Sequence, residues 1–307
     1  MRIAITGGTG YLGSALLRAL TTHGHEAFAV RRGKISDANA QWDPAAGWVR
    51  PGTFEGVDAV VHLSGTSIGS KRWTAGRRAE LRASRIESTR VLVDHLSGLA
   101  QPPRVLVAAS GTGFYGDSAD RVLTEGFPSG EGFLAVLVAD WEREAMRASA
   151  LGTRVVTARF SPVVARDSEL IARLLLPFRL GLGGRLGSGR QWFSWVATED
   201  AVAAVEFLLV CDEIEGAVNV TAPQPATNVE FTHALGRALH RPAVFPVPSA
   251  ALRLLFGRGL ADEMLLGSVR AVPGRLVDAG FRFRHATIEG VLEAELGRGT
   301  RGMAAAR

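Results

Sequence analysis

The sequence predicts an α/β fold, a doubly wound parallel sheet with a smaller C-terminal α/β lobe. Three observations predict it. Short apolar runs of strand length alternate with longer amphipathic segments from the first residues onward. A glycine-rich turn joins the first run to the segment that follows. The regular alternation lapses after about residue 165, where a glycine-rich stretch and later two prolines interrupt it.

Arg2-Ile-Ala-Ile-Thr6 reads as the first strand, and Leu16, Leu17 and Leu20 mark one face of the helix after the turn. His25 to Val30 forms the second strand and Val57 to Leu63 a later one. A long helix is expected from Ala75 to Leu96, with Leu81, Ile86, Val91 and Leu92 apolar. Arg104 to Ala109 is a further buried strand, followed by a helix from Phe133 to Ala148 and a strand from Arg154 to Ala158. Strands this short and this apolar are buried on both faces, as in a parallel sheet with right-handed crossovers. Beyond it, Leu170 to Leu180, Glu199 to Val210 and Asn228 to Leu239 read as helices, and Ala217 to Thr221 as a strand. After Pro248 come three short helical pieces and a last helix from Thr287 to Leu296.

At 307 residues, 47% of them hydrophobic, the chain can bury one large core and a lesser one. No apolar run reaches 18 residues, so no membrane partner is expected. A strand that begins at residue 2 leaves no room for a targeting segment. A single cysteine, Cys211, excludes an internal disulfide and a thiolate metal cluster, and predicts a reducing, cytoplasmic setting. No other metal-ligand spacing is present. The net charge of +5 comes without a basic stripe interleaved with aromatics, so nucleic acid is not an expected partner. Residues 297–307 carry no apolar period and read as a disordered tail.

The turn Gly7-Gly-Thr-Gly-Tyr-Leu-Gly13 sits between a strand and a helix, the context in which glycines let backbone N–H groups approach a pyrophosphate. Gly7, Gly8, Thr9, Gly10, Tyr11, Leu12 and Gly13 are therefore candidate dinucleotide ligands, and the fold is of the Rossmann type. A carboxylate at the end of the second strand would select NAD; Arg31 and Arg32 stand there instead. Two guanidinium groups suit a 2′-phosphate, which predicts NADP(H). The other reading of the pair is two solvated surface arginines. Residues 1–165, with 197–221, form the expected cofactor domain; 166–196 and 222–296 form the expected substrate lobe.

The turn resembles that of extended short-chain dehydrogenases/reductases, the group of sugar-nucleotide epimerases and dehydratases. Val60-Val-His-Leu-Ser-Gly65, Lys71-Arg-Trp-Thr74, Ser84-Arg-Ile-Glu-Ser-Thr-Arg90 and Pro177-Phe-Arg-Leu-Gly-Leu-Gly-Gly184 are similar to one subfamily. So are Gly187-Ser-Gly-Arg-Gln-Trp-Phe-Ser-Trp195 and Asp278-Ala-Gly-Phe-Arg-Phe283. Together they resemble uncharacterised "epimerase family" proteins with a short distinctive C-terminal domain. The resemblance implies the fold, NADP(H), and Leu63, Ser64, Gly65 and Arg85 as further cofactor residues.

It does not carry over the usual chemistry. Short-chain reductases use a Tyr and a Lys four residues later, the Lys lowering the Tyr pKa. The two tyrosines, Tyr11 and Tyr115, are followed at that distance by Ala15 and Ala119, and Leu134 and Val138 occupy the dyad's aligned positions. The candidates that remain are Ser110 or Thr112 to hold a substrate oxygen and Tyr115 to handle a proton. The same residues could instead shape the turn after a strand. In the second lobe Arg190, Gln191 and Trp192 are candidate ligands for an anionic small-molecule substrate, or else a strand with core tryptophans and surface arginines. His62, at a strand end, reads as a satisfied core histidine. Two functions stand: an NADP(H)-dependent oxidoreductase or epimerase-like enzyme of atypical mechanism, and a non-catalytic NADP(H)-binding sensor or scaffold. The oligomeric state is not readable.

Overall fold

The computed structural model describes residues 1–34, 36–39 and 41–297; the expected tail, apart from Gly297, lies outside them. Six strands form the main sheet: β1 (Arg2–Thr6), β2 (Glu26–Val30), β3 (Ala59–His62), β4 (Val105–Gly111), β5 (Arg154–Phe160) and β6 (Gly216–Val220). Their order is β2-β1-β3-β4-β5-β6, and the sheet is parallel. β1 pairs with both β2 and β3, with Ile5 opposite Ala29 and Val61. Beyond β2, a parallel bridge from Arg32 to Trp42 adds a rudimentary outer strand.

The chain divides into two compact units. The first comprises Met1–Phe114, Val136–Arg159 and Val202–Val218; the second comprises Tyr115–Ala135, Phe160–Ala201 and Asn219 onward. This partition differs from the expected cofactor domain in giving residues 115–135, 160–165, 197–201 and 219–221 to the second unit. The reason is local. After β4 the chain leaves the sheet, and Tyr115 and Glu125 bond to Asn219 of the same unit.

In the first unit, Ala4, Val60, Leu106 and Val155 of the sheet pack with Leu92 and Leu96 of the helix Ser88–Ser97, together with Trp42 and Phe54. In the second, Ile171, Phe178 and Trp195 pack with Phe231 and Leu235 of one helix and Ile288 and Leu292 of another. Trp195 is thus a core residue, as one of the two sequence readings had it.

The long helix expected over 75–96 is interrupted. Ala75–Arg82 and Ser88–Ser97 are α-helical, but Ala83–Glu87 forms a π turn. Hydroxyls compete here for the helix carbonyls: Ser88 Oγ donates to Ser84 O and Thr89 Oγ1 to Arg85 O. The turn falls on Arg85.

Candidate functional site

The glycine turn begins where β1 ends. Gly7 has φ +72°, and a Cβ there would come within 2.8 Å of the Leu63 carbonyl, so only glycine fits beside the end of β3. A Cβ on Gly13 would lie 2.2 Å from Gly7 O, which is why the helix Tyr11–Thr22 can start so close to the strand. That helix has Gly10 as N-cap, with no side-chain cap and no acidic residue in its first turn. Its first N–H groups and its dipole therefore face a backbone cradle that suits a phosphate. Thr9, Gly10 and Tyr11 are exposed, Leu12 is half-buried, and Gly8 is buried against Ala29 of β2. Arg31 and Arg32 follow β2 and are both exposed; the Arg31 amide donates to Gln41 Oε1 at 2.9 Å.

The π turn carries Arg85 beneath the loop after β3. Its Nη2 donates to Thr66 O at 2.9 Å, and a Cβ on Gly65 would lie 3.2 Å from its Cζ. Its guanidinium stands 5.2 Å from the Trp141 ring, and its buried Nε has no hydrogen-bond partner. Burial, with the nearby charge of Arg77, pushes its pKa down to about 10. Among the described residues no carboxylate pairs with this buried cation, which fits a loop that receives an anion. With the glycine cradle it makes the first unit suited to a dinucleotide.

His62, at the end of β3, is fully buried. Its Nδ1 lies 2.6 Å from Thr6 Oγ1 and its Nε2 3.0 Å from Thr89 Oγ1, which also accepts from Trp141 Nε1 at 2.9 Å. Because Thr89 spends its own hydrogen on Arg85 O, Nε2 donates and Nδ1 accepts. Burial pushes the imidazole pKa down to about 4.

At the end of β4, Ser110 Oγ donates to Glu142 Oε1 at 2.5 Å. Glu142 is gripped by Arg159 through two bonds, Nε to Oε1 at 2.7 Å and Nη2 to Oε2 at 2.8 Å. The Arg159 guanidinium lies 3.5 Å from the centroid of the Phe114 ring. Sequence reasoning missed Glu142 and Arg159. Both were visible as single charges, one on an otherwise apolar helix face and one inside an apolar strand. Leu134, Val138 and Glu142 stand at helical spacing on one face of Phe133–Met146, so the carboxylate occurs one turn beyond the two positions where the sequence reading expected a Tyr–Lys dyad.

Thr112 is buried in the short helical turn Thr112–Tyr115. The expected proton role of Tyr115 meets a different geometry. The residue is 2% exposed, and its hydroxyl lies 2.7 Å from Asn219 Oδ1 and 3.2 Å from Thr124 O. Asn219 is oriented by its own Nδ2, which donates to Leu123 O and Val272 O. The phenol is thus a donor inside a closed buried network.

The second-lobe candidates are likewise engaged. Gln191 Nε2 donates to Leu186 O and Leu265 O, both at 3.0 Å, so its two amide hydrogens are spent on the backbone. Trp192 Nε1 donates to Asp120 Oδ1 at 3.1 Å, and Arg270 lies 4.0 Å over its ring. Arg190 is exposed. Asp200, buried, accepts from the amides of Arg284 and His285 and ties down the segment before the last helix. Among the described residues no cluster of His, Cys, Asp and Glu could hold a metal, and no helix is long and apolar enough to cross a membrane.

The profile of the NAD dependent epimerase/dehydratase family matches residues 3–221, and that of a domain of unknown function, DUF1731, matches residues 247–295. Epimerase family protein Mb2239 of Mycobacterium bovis is 43% identical over 289 residues, covering 93% of this chain and 94% of its own. The human epimerase family protein SDR39U1 is 36% identical over 286 residues, covering 92% and 95%. The crystal structure of human SDR39U1 (isoform 2) with NADPH superposes with a TM-score of 0.87 at 33% identity, covering 96% of this chain and 99% of that one. The chain belongs to the NAD-dependent epimerase/dehydratase family.

Proposed function

We propose that the protein is an NADP(H)-dependent oxidoreductase or epimerase-like enzyme that acts on a small molecule without a Tyr–Lys dyad. The observation that carries the cofactor reading is the glycine cradle on an uncapped helix N-terminus, with Arg31 and Arg32 in place of an acidic residue after β2. The relative crystallised with NADPH supports it. Gly7 to Gly13 would hold the pyrophosphate, Leu63, Ser64 and Gly65 would border the cofactor, and Arg85 would add charge from below the loop. Arg31 and Arg32 would grip a 2′-phosphate.

NADP(H), when bound, supplies or accepts a hydride at its nicotinamide ring. Ser110 turns its proton inward to Glu142, so its remaining lone pairs accept from a substrate hydroxyl. Arg159 holds Glu142 in place through two bonds, which fixes the Ser110 rotamer. Thr112 is the second hydroxyl of the set. Leu134 and Val138 exchange no proton, and Tyr115 spends its own on Asn219 Oδ1, so the proton comes from water or from the substrate itself. Arg190 and Trp192 remain the candidates for contact with an anionic substrate. Residues 1–165 with 197–221 would serve the cofactor, and 166–196 with 222–296 the substrate. A single cysteine supports a reducing cytoplasmic setting.

The buried apolar pair at the dyad positions favours the second reading, a non-catalytic NADP(H) sensor. One experiment addresses both. Fluorescence titration of the protein with NADPH and NADH is expected to show NADPH selectivity. Replacing Arg31 and Arg32 by alanine is expected to weaken NADPH about 10- to 100-fold and leave NADH nearly unchanged. Equal loss for both cofactors would remove the 2′-phosphate assignment. Conversion of co-purified metabolite on addition of cofactor, abolished by Ser110→Ala, separates enzyme from sensor.

A further inference from the structure

The second unit carries two stretches without any acidic residue, 170–198 and 231–261. Each contains four arginines: Arg173, Arg179, Arg185 and Arg190 in the first, and Arg237, Arg241, Arg253 and Arg258 in the second. Residues 179–187 of the first stretch lie beside residues 241–247 of the second. Phe245 N donates to Gly183 O at 3.1 Å, Val247 N to Arg185 O at 2.9 Å, and Arg241 Nε to Arg179 O at 3.0 Å. Three of the eight arginines are ion-paired to carboxylates outside the stretches: Arg173 to Glu169, Arg237 to Glu289 and Arg253 to Asp262.

The same stretches carry exposed large apolar side chains. Leu180, Leu182, Val244 and Phe245 are 64%, 58%, 70% and 55% exposed, and Leu254 and Leu255 on the helix Ser249–Phe256 are 76% and 64% exposed. Next to Val244, a cavity of about 630 Å³ is lined by His233, Arg237, His240 and Arg241. Leaving leucine, valine and phenylalanine in water loses the gain of burial, and concentrating cations around them adds mutual repulsion. Both costs are removed by one partner that is apolar inside and anionic at its surface.

We propose that this face docks on a bilayer containing anionic phospholipid, the protein lying on the membrane rather than spanning it. The protruding Leu180, Leu182, Val244, Phe245, Leu254 and Leu255 enter the headgroup and acyl boundary. Arg179, Arg185, Arg190, Arg241 and Arg258 meet the lipid phosphates, and the cavity beside Val244 accepts a headgroup. A second copy of this chain is a poor occupant, because a self-complementary contact would press the same cations together. Nucleic acid would satisfy the charge and leave the aliphatic side chains unburied. The expectation of no membrane partner rested on the lack of an apolar span; peripheral docking needs none.

The test is co-sedimentation of the full chain with vesicles of phosphatidylglycerol and phosphatidylcholine, beside vesicles of phosphatidylcholine alone. Binding to the anionic vesicles, reduced at high salt and absent with the neutral ones, is expected. Replacing Arg179 and Arg241 by glutamine lowers partitioning by roughly fivefold for each arginine. Leu254→Ser with Leu255→Ser, and separately Val244→Ser with Phe245→Ser, lower it further while the thermal midpoint holds; two variants guard against one misfolding. No binding to anionic vesicles overturns the proposal, as does equal binding to neutral ones. Unchanged binding by all the variants overturns the placement on this face. Light scattering that shows a concentration-dependent dimer, abolished by the same substitutions, overturns it in favour of a second copy.

Discussion

Tyr115 shows how far a residue's neighbours can redirect its chemistry. A tyrosine that closes a strand-end turn reads as a proton donor, yet its phenol is buried against Asn219, 104 positions away in the chain. Tyr115→Phe is therefore expected to leave Asn219 Oδ1 without its donor and to cost about 1–3 kcal/mol in urea unfolding. Turnover per folded molecule should hold once a substrate is known. A turnover loss at unchanged stability would return Tyr115 to the reaction. Arg85 makes the complementary case. Its charge was legible in the sequence; its burial under Gly65 depended on a π turn that no periodicity announces.

At the scale of the element, the helix Phe133–Met146 carries Leu134 and Val138, where the sequence reading expected a dyad, and one turn on a buried carboxylate. Val138 is core, and Glu142 reaches Ser110 of β4 and Arg159 of β5. Arg159 is 4% exposed and Glu142 11% in their side chains, so removing one partner strands a buried charge. Glu142→Gln is expected to destabilise the protein by about 3–5 kcal/mol, as read by denaturant unfolding. Ser110→Ala, which removes only a hydroxyl donor, should cost about 1 kcal/mol. If the two variants are equally stable, the carboxylate is not the hub of the network. This network escaped sequence reading because its members are 32 and 17 positions apart and belong to three elements.

At the scale of the whole molecule, pH acts through His62. Its pKa in the fold is about 4, below the value near 6.5 of an unfolded histidine, so the fold favours the neutral ring. Stability from this group is complete above the unfolded value. It falls as the pH drops through 6.5, because the unfolded chain then takes up a proton that the folded one refuses, and levels off near pH 4. The total is on the order of 3 kcal/mol. The difference in unfolding free energy between the wild type and His62→Gln, followed from pH 7 to pH 4, should narrow by that amount. A constant difference would show that His62 is not the sensitive group.

The chain's own periodicity determined the alternating strands and helices, the glycine turn and the absence of a Tyr–Lys dyad. These are local or compositional properties, set by the apolar pattern, by the backbone freedom of glycine and by the residue types present. The strand order, the assignment of residues 115–135 to the second unit, and the pairings of Tyr115, Gln191 and Glu142 were decided only by tertiary structure. Each depends on which distant groups packing brings within hydrogen-bond reach. A buried polar atom takes whatever partner the fold leaves beside it.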